Sequence, residues 1–154
     1  MTHAPGFAIR APSPAEVAAA ADVLTEAGVE AWGDFLGEDR IRVATAGARH
    51  PVDLVAVDDG GVLGFVAWDE RTGEILRLYT HPRAWGRGAG RALLDAALDA
   101  LRTAGVRRAW LNTEGRNARA RRFYERHGWR EEGPPRVRDW HGAQLVEPRY
   151  VRDL

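Results

Sequence analysis

The spacing of apolar residues along the chain predicts a mixed α/β fold. Alternating apolar and polar positions predict strands at 7–11, 53–57, 62–69, 74–80, 108–113, 129–132 and 143–152. Helical spacing predicts helices at 13–28, 92–104 and 117–127, with a short helix or turn at 30–36. The resulting order β-α-α-β-β-β-α-β-α-β-β describes a mixed sheet, in which an antiparallel meander leads into a parallel crossover.

Residues that favour helix and strand ends set several of these boundaries. Ser13 and Glu16 have the spacing of a capping box, and Pro14 between them suits the first turn of a helix. Gly28 is expected to end this helix, because glycine is common just beyond helix C-termini. Pro148 cannot donate a backbone hydrogen bond, so it predicts a bulge or an edge position in the last strand.

A glycine-rich turn lies between the strand at 74–80 and the helix at 92–104. Gly86, Gly88 and Gly90 leave backbone N–H groups free to converge, and the helix that follows adds unpaired N–H donors. A Walker loop is excluded because no lysine follows, and a dinucleotide fingerprint is excluded because Arg91 occupies its last glycine position. With Arg87 and Arg91 beside it, the turn predicts a pyrophosphate site.

A second motif follows at 117–129, which reads N-A-R-A-R-R-F-Y-E-R-H-G-W. Together with the loop W-G-R-G-A-G at 85–90, it resembles the GNAT superfamily, the GCN5-related N-acetyltransferases. In that family a [QR]-x-x-G-x-[GA] loop binds the pyrophosphate of acetyl-CoA, and a helix with the pattern N-x-x-A-x-x-F-Y follows. Trp85 departs from the family's Gln or Arg, which we expect to weaken cofactor anchoring at most.

The resemblance implies central strands that splay apart to admit the pantetheine arm of acetyl-CoA, the co-substrate. It implies backbone hydrogen bonds to this arm from the strand at 78–80, one of them to the developing oxyanion. The implied cofactor-binding residues are Leu78, Tyr79, Thr80, Trp85, Gly86, Arg87, Gly88, Ala89, Gly90, Arg91, Asn117 and Tyr124.

The resemblance also implies two catalytic residues. Tyr124 stands where the motif places a tyrosine hydroxyl near the cofactor sulfur, so we expect it to be the general acid. Glu74 stands where several family members carry a basic carboxylate, and it ranks first as general base. Other members use a glutamate on a later strand, but the matching residue here is Asn112, which cannot act as a base. Glu114, two residues further along, therefore ranks second as general base, and an ordered water ranks third.

Composition limits the alternatives. A chain of 154 residues predicts one GNAT-like domain over 1–154. The absence of cysteine excludes an acyl-cysteine relay and thiolate metal sites, which favours direct attack in a ternary complex. The five histidines show no metal-ligand spacing, so we expect no metal. Without an 18-residue apolar run or a signal peptide, we expect a cytoplasmic protein that does not bind membranes.

Charge is divided between two halves of a neutral chain. Residues 1–73 carry 5 arginines and 12 acidic residues, whereas residues 74–154 carry 17 arginines and 10 acidic residues. The basic half suits a polyanionic cofactor, and the acidic half favours a cationic acceptor such as a small-molecule or peptide amine. Trp32 and Trp140 are candidate walls of the acceptor pocket. Overall neutrality argues against nucleic-acid binding.

A non-catalytic acyl-CoA-binding or sensing module is the alternative to an enzyme. It would keep the loop at 86–90 but would not need the chemistry of Tyr124. The sequence specifies neither the acceptor, nor the acyl-chain length, nor whether the terminal strand forms a homodimer.

Overall fold

A computed structural model describes residues 6–47 and 49–154 of the chain. The strands in this part are β1 (Ala8–Arg10), β2 (Leu54–Asp58), β3 (Gly61–Asp69), β4 (Glu74–Thr80), β5 (Arg108–Asn112), β6 (Arg130–Glu131), β7 (Arg136–Trp140), β8 (Ala143–Glu147) and β9 (Arg149–Asp153). The helices are α1 (Pro14–Leu36), α2 (Glu38–Thr45), α3 (Ala89–Thr103) and α4 (Ala118–Arg126). No helix of the described chain combines the length and apolar character needed to cross a membrane.

Seven strands form the main sheet in the order β1-β2-β3-β4-β5-β9-β6, while β7 and β8 form a separate hairpin. Neighbouring strands of the main sheet are antiparallel except β4 and β5, which are parallel. These two strands pair only at Glu74 and Trp110, and they diverge beyond that point. The mixed sheet with splayed central strands is therefore confirmed.

The register between β3 and β4 contains one extra residue on β4. Ala67 faces Arg77 and Trp68 faces Ile75, so Leu76 has no partner on β3 and forms a bulge. The bulge brings Ile75 and Leu78 to the face of the sheet that α3 covers, although they are three residues apart. Tyr79 lies on the opposite face, against α1.

Helices cover both faces of the sheet. Four leucines of α3 are almost fully buried against one face, together with Tyr124 of α4. Ala20, Val23 and Leu24 of α1 bury the other face over Phe65. Each buried leucine contributes roughly 1.5–3 kcal/mol relative to an exposed one, so these two layers hold α3, α4 and α1 over the sheet.

The first helix corrects one prediction from the sequence. Ser13 and Glu16 do form a capping box, but Gly28 does not end the helix, which continues to Leu36 and includes the segment 30–36. Gly28 is buried, and a Cβ there would lie 3.0 Å from the Trp32 ring and 3.2 Å from Ile41. The glycine instead lets the following helix α2, which was not predicted, approach α1 closely.

The C-terminal segment corrects a second prediction. The single strand expected at 143–152 is divided by Pro148 into β8 and β9, which belong to different sheets. Strand β7 was not predicted and pairs with β8. Leu145 of this hairpin packs on Leu36 and Ile41, so the hairpin is held against the junction of α1 and α2.

Candidate active site

A cavity of about 1200 Å³ connects the glycine-rich turn, the diverging strands and the β7–β8 hairpin. Its walls come from the second half of α1, strand β4, the first turn of α3, helix α4 and the hairpin. The sequence separates these elements widely, and the splay between β4 and β5 brings them around one space. The cavity exceeds the usual size of a small-molecule site, so it has room for two reactants.

The glycine-rich turn forms one end of this cavity. Gly86 and Gly88 have φ of 82° and 85°, and a Cβ at either position would meet nothing within 4 Å. Gly88 caps α3 without a side chain, and the first helical N–H bond runs from Ala92 to the Gly88 carbonyl at 3.0 Å. The N–H groups of the first turn, at 89–91, thus precede the helical bonding pattern and face an open cradle.

Trp85 and three arginines of α4 flank the cradle. The Trp85 indole N–H donates to the Thr80 carbonyl at 3.2 Å, and the guanidinium of Arg119 lies over the indole ring at 3.8 Å. Burial and the charges of Arg126 and Arg122 lower the pKa of Arg119. Three neighbouring like charges indicate that this end of the cavity suits a polyanion.

The two arginines predicted beside the glycine-rich turn occupy different positions in the structure. Arg91 lines the cavity, whereas the Arg87 side chain donates to Asp58 at 3.0 Å and to the Gly6 carbonyl at 3.2 Å. Arg83 also bonds Asp58, and these two guanidinium groups hold the pKa of Asp58 well below its usual range. Arg87 therefore ties the loop to β2, and its backbone N–H is bonded to the Ala84 carbonyl at 3.1 Å, so Arg87 is not part of the cradle.

The edge of β4 that faces β5 is unpaired along much of its length. Leu78, Tyr79 and Thr80 pair with β3 on their other edge, and all three line the cavity. Since β5 pairs with β4 only at Glu74, backbone groups beyond this residue remain for a bound ligand, apart from the carbonyls of Leu76 and Thr80, which accept from Arg77 and Trp85. This edge leads directly into the glycine-rich turn.

Asn117 and Tyr124 reach the cavity from α4. The Asn117 side-chain oxygen accepts from the Ala120 N–H at 3.1 Å and caps the helix, which leaves its amide nitrogen for another partner. Tyr124 is 7% exposed and packs against Phe123, Trp129 and Tyr150, with ring centres 5.3–6.1 Å away. Burial, and then the neighbouring Tyr79, raise the pKa of Tyr124, so its phenol stays protonated at neutral pH.

The two candidate base residues occupy different positions. Glu74 begins β4, is half-buried and does not belong to the cavity lining; burial raises its pKa, and Arg136 and Arg77 oppose that rise. Glu114 lines the cavity and is 5% exposed. Its Oε1 accepts from Arg116 Nε at 2.7 Å, while its Oε2 is buried without a hydrogen-bond partner among the described residues.

The end of the cavity opposite the glycine-rich turn has aromatic walls. Trp32 meets Tyr79 and Trp140 edge-on, with ring centres 6.0 and 6.3 Å apart. Trp32 and Trp140, the predicted acceptor walls, both line this end. His50 lies here too, and burial, followed by the charge of Arg77, lowers its pKa.

Glu147 is a buried residue of the cavity that the sequence did not indicate. Its carboxylate accepts from Arg138 at 2.6 Å and from Arg136 at 3.0 Å. Burial acts to raise the pKa of Glu147, but the two arginines outweigh it and hold the pKa below the usual value. The alternation Arg136-x-Arg138 was the available signal, because it places both arginines on one face of a strand.

The family model for GNAT acetyltransferases matches residues 18–129. The chain therefore belongs to the acetyltransferase (GNAT) family, which confirms the resemblance drawn from the two motifs.

One relative and two solved structures illustrate the likeness. An 80-residue stretch is 51% identical to a mycothiol acetyltransferase of Beutenbergia cavernae; it covers 49% of this chain and only 27% of that protein. The fold matches a GCN5-related N-acetyltransferase of Rhodopseudomonas palustris with a TM-score of 0.82 and 20% identity, over 100% and 99% of the two chains. The fold also matches PaiA N-acetyltransferase of Thermoplasma acidophilum, which was solved with coenzyme A. The TM-score is 0.73 and the identity 19%, over 96% of this chain and 99% of that one. Identities this low show a shared fold.

Proposed function

We propose that this chain transfers the acetyl group of acetyl-CoA to a primary amine by direct attack in a ternary complex. One observation carries the proposal: a single cavity joins the glycine-rich cradle, the free edge of β4 and the buried hydroxyl-bearing ring of Tyr124. The name of the Beutenbergia cavernae relative supports acetyl as the transferred group. The cytoplasmic location expected from the sequence remains a prediction.

The residues around the cradle fit a pyrophosphate. The open space at Gly86 and Gly88 leaves room for phosphate oxygens next to the first-turn N–H groups of α3. Arg91 and Arg119 line the same end of the cavity and supply positive charge. The unpaired edge of β4 would then hold the extended pantetheine arm as an added strand. The backbone of residues 78–80 would form hydrogen bonds to this arm.

The bulge at Leu76 explains how β4 would polarise the thioester carbonyl. A residue without a partner on β3 turns its backbone out of the ladder, and this occurs where β5 has already separated. A preorganised N–H donor at such a point stabilises a developing oxyanion, and losing one costs about 3 kcal/mol in comparable sites.

Acetyl-CoA supplies the thioester: the amine nitrogen bonds to its carbonyl carbon, the C–S bond breaks, and an amide and CoA form. Tyr124 remains protonated because of its burial, and it donates its phenolic proton to the departing sulfur. Glu114 accepts the proton that the amine loses, since it lines the cavity and its buried Oε2 has no hydrogen-bond partner among the described residues. We therefore propose Glu114 rather than Glu74 as the base, the reverse of the order expected from the sequence.

Thiol release from acetyl-CoA, followed with a chromogenic thiol reagent, tests the proposal. The panel comprises amino acids, polyamines, aminoglycosides and peptide N-termini, and the protein adds no cysteine background. We expect turnover with one class of amine. Confirmed acetyl-CoA binding without thiol release from any class would contradict amine acetylation.

A further inference from the structure

The acceptor end of the cavity contains one arginine without a carboxylate partner. Arg77 is half-buried in the cavity wall, and its Nη1 donates to the Leu76 carbonyl at 2.8 Å. Among the described residues, no carboxylate lies within 4.0 Å of its guanidinium. The charge of Arg77 acts on His50 and Tyr79, which line the same cavity, and the planar geometry of its guanidinium matches a carboxylate.

The other arginines at this end already have partners. Arg138 and Arg136 both bind Glu147, and Arg116 binds Glu114. His50, whose pKa is lowered by burial and then by the charge of Arg77, stays uncharged at neutral pH and adds no second positive charge. The charge of Arg77 does act on Glu74 and opposes the rise in its pKa that burial causes, but the two side chains form no ion pair within 4.0 Å, so a ligand carboxylate would be the first group to pair with Arg77 directly.

Other groups around this space lack partners as well. Among the described residues, the indole N–H of Trp32, Nε2 of His50 and Oε2 of Glu114 are all buried without a hydrogen-bond partner. Buried polar groups are normally hydrogen-bonded, so these three indicate a ligand that both accepts and donates. An ammonium group matches Glu114, and carboxylate oxygens match Arg77 and Trp32.

Apart from Thr45 and His141, the remaining surface at this end is apolar. It is lined by Leu24, Ala27, Ala31, Trp32, Leu36, Trp140 and Leu145. Such a wall gains free energy by covering an apolar or aromatic group of the ligand. Tyr79 lies on the same face of β4 as Arg77, and the Arg77 charge acts on its hydroxyl, so the apolar wall and the free guanidinium border one space.

We propose that the acetyl acceptor is an amine that also carries a carboxylate and an apolar or aromatic group, of which apolar amino acids are the simplest. Arg77 binds the carboxylate, the tryptophans cover the apolar group, and the amine faces Glu114. This assignment rests on the proposed acetyltransferase function and adds the class of acceptor to it.

Matched pairs of amines test the assignment. Phenylalanine is compared with phenethylamine, and leucine with isoamylamine, by thiol release from acetyl-CoA. We expect the carboxylate-bearing member of each pair to have a kcat/KM at least about tenfold higher, because the unpaired guanidinium rejects an acceptor without its partner. In Arg77→Met this ratio falls towards one, and Arg77→Lys restores part of it.

Two controls separate specificity from folding and from cofactor binding. Arg71, on the exposed turn before β4, lies outside the cavity, so Arg71→Met should keep the wild-type ratio. Calorimetric affinity for acetyl-CoA should be the same in Arg77→Met and wild type. A ratio of one in the wild type, an unchanged ratio in Arg77→Met, or weaker acetyl-CoA binding in that variant would each overturn the assignment. The absence of thiol release with both pairs would also overturn the assignment of the acceptor. The proposed acetyltransferase function would still stand if another class of amine were acetylated.

Discussion

The guanidinium carbon of Arg119 lies 3.8 Å from the centre of the Trp85 indole ring. Trp85 occupies the loop position where the resembled family carries Gln or Arg, and its indole N–H is bonded to the end of β4. The stacked pair thus brings a positive charge from α4 to the loop position that lacks one. A cation–π contact of this kind contributes about 0.5–1 kcal/mol at an exposed site.

We expect Arg119→Met to weaken acetyl-CoA binding about tenfold at low ionic strength, since it removes a charge beside the cradle. The loss should shrink as salt is added, because screening weakens the same interaction in the wild type. Titration calorimetry at two salt concentrations measures both effects. Arg107, which is exposed before β5 and outside the cavity, provides the control Arg107→Met. Equal affinities of the Arg119 and Arg107 variants would exclude a phosphate contact.

Gly88→Ala should weaken acetyl-CoA binding severely, because its methyl group would enter the open cradle at a φ of 85°. Gly105, at the other end of α3, has a φ of 86° and equally open surroundings. Each substitution should therefore cost about 1–2 kcal/mol of unfolding free energy. Only Gly88→Ala should change the calorimetric affinity, and a similar affinity in both variants would refute the cradle.

Tyr124→Phe should lower kcat about 100-fold with little change in acetyl-CoA affinity, as expected for loss of a general acid. Tyr150→Phe is the matched control, because its ring lies 6.1 Å from that of Tyr124 while its hydroxyl bonds Arg121 and Glu125. Steady-state kinetics of both variants give the comparison. An unchanged kcat in Tyr124→Phe would leave this tyrosine a packing role only.

Glu114→Gln should lower kcat about 100-fold, whereas Glu74→Gln should change it less than about threefold. The reason is that Glu114 lines the cavity and its buried Oε2 has no hydrogen-bond partner among the described residues, whereas Glu74 does not line the cavity. Kinetics with saturating acetyl-CoA distinguish the two. The opposite order would make Glu74 the base, and small effects in both variants would favour an ordered water.

Glu147 should make the stability of the protein depend on pH under acidic conditions. Its arginine partners hold the folded-state pKa below the usual value, so its stabilising effect is present above the unfolded pKa and is lost as pH falls through the folded one. Glu147→Gln removes about 1–3 kcal/mol at neutral pH and progressively less in acid. Melting temperatures between pH 7 and pH 3 measure this, and parallel curves for variant and wild type would contradict it.

Local patterns in the sequence were enough for much of the fold. The capping box at Ser13 and Glu16 and the bounds of β4 depend on residues within a few positions of each other, whereas α3 begins at Ala89, three residues before the predicted start at 92. The predicted end of the first helix at Gly28 was wrong because it, too, was based on neighbouring residues alone. A glycine that permits close packing of α2 has the same local signature as one that ends a helix.

The sequence by itself determined the family and most of the elements, α2 and β7 excepted, and it predicted a phosphate loop, because these follow from short-range spacing and motif. The tertiary structure decided which side chains meet: Arg87 with Asp58, Arg119 with Trp85, and Glu147 with the arginines of β7. It also left Arg77 without a carboxylate partner and brought Glu114 to the cavity. Such pairings depend on where β4 and β5 part and on how the hairpin folds back, and neither is encoded in neighbouring residues.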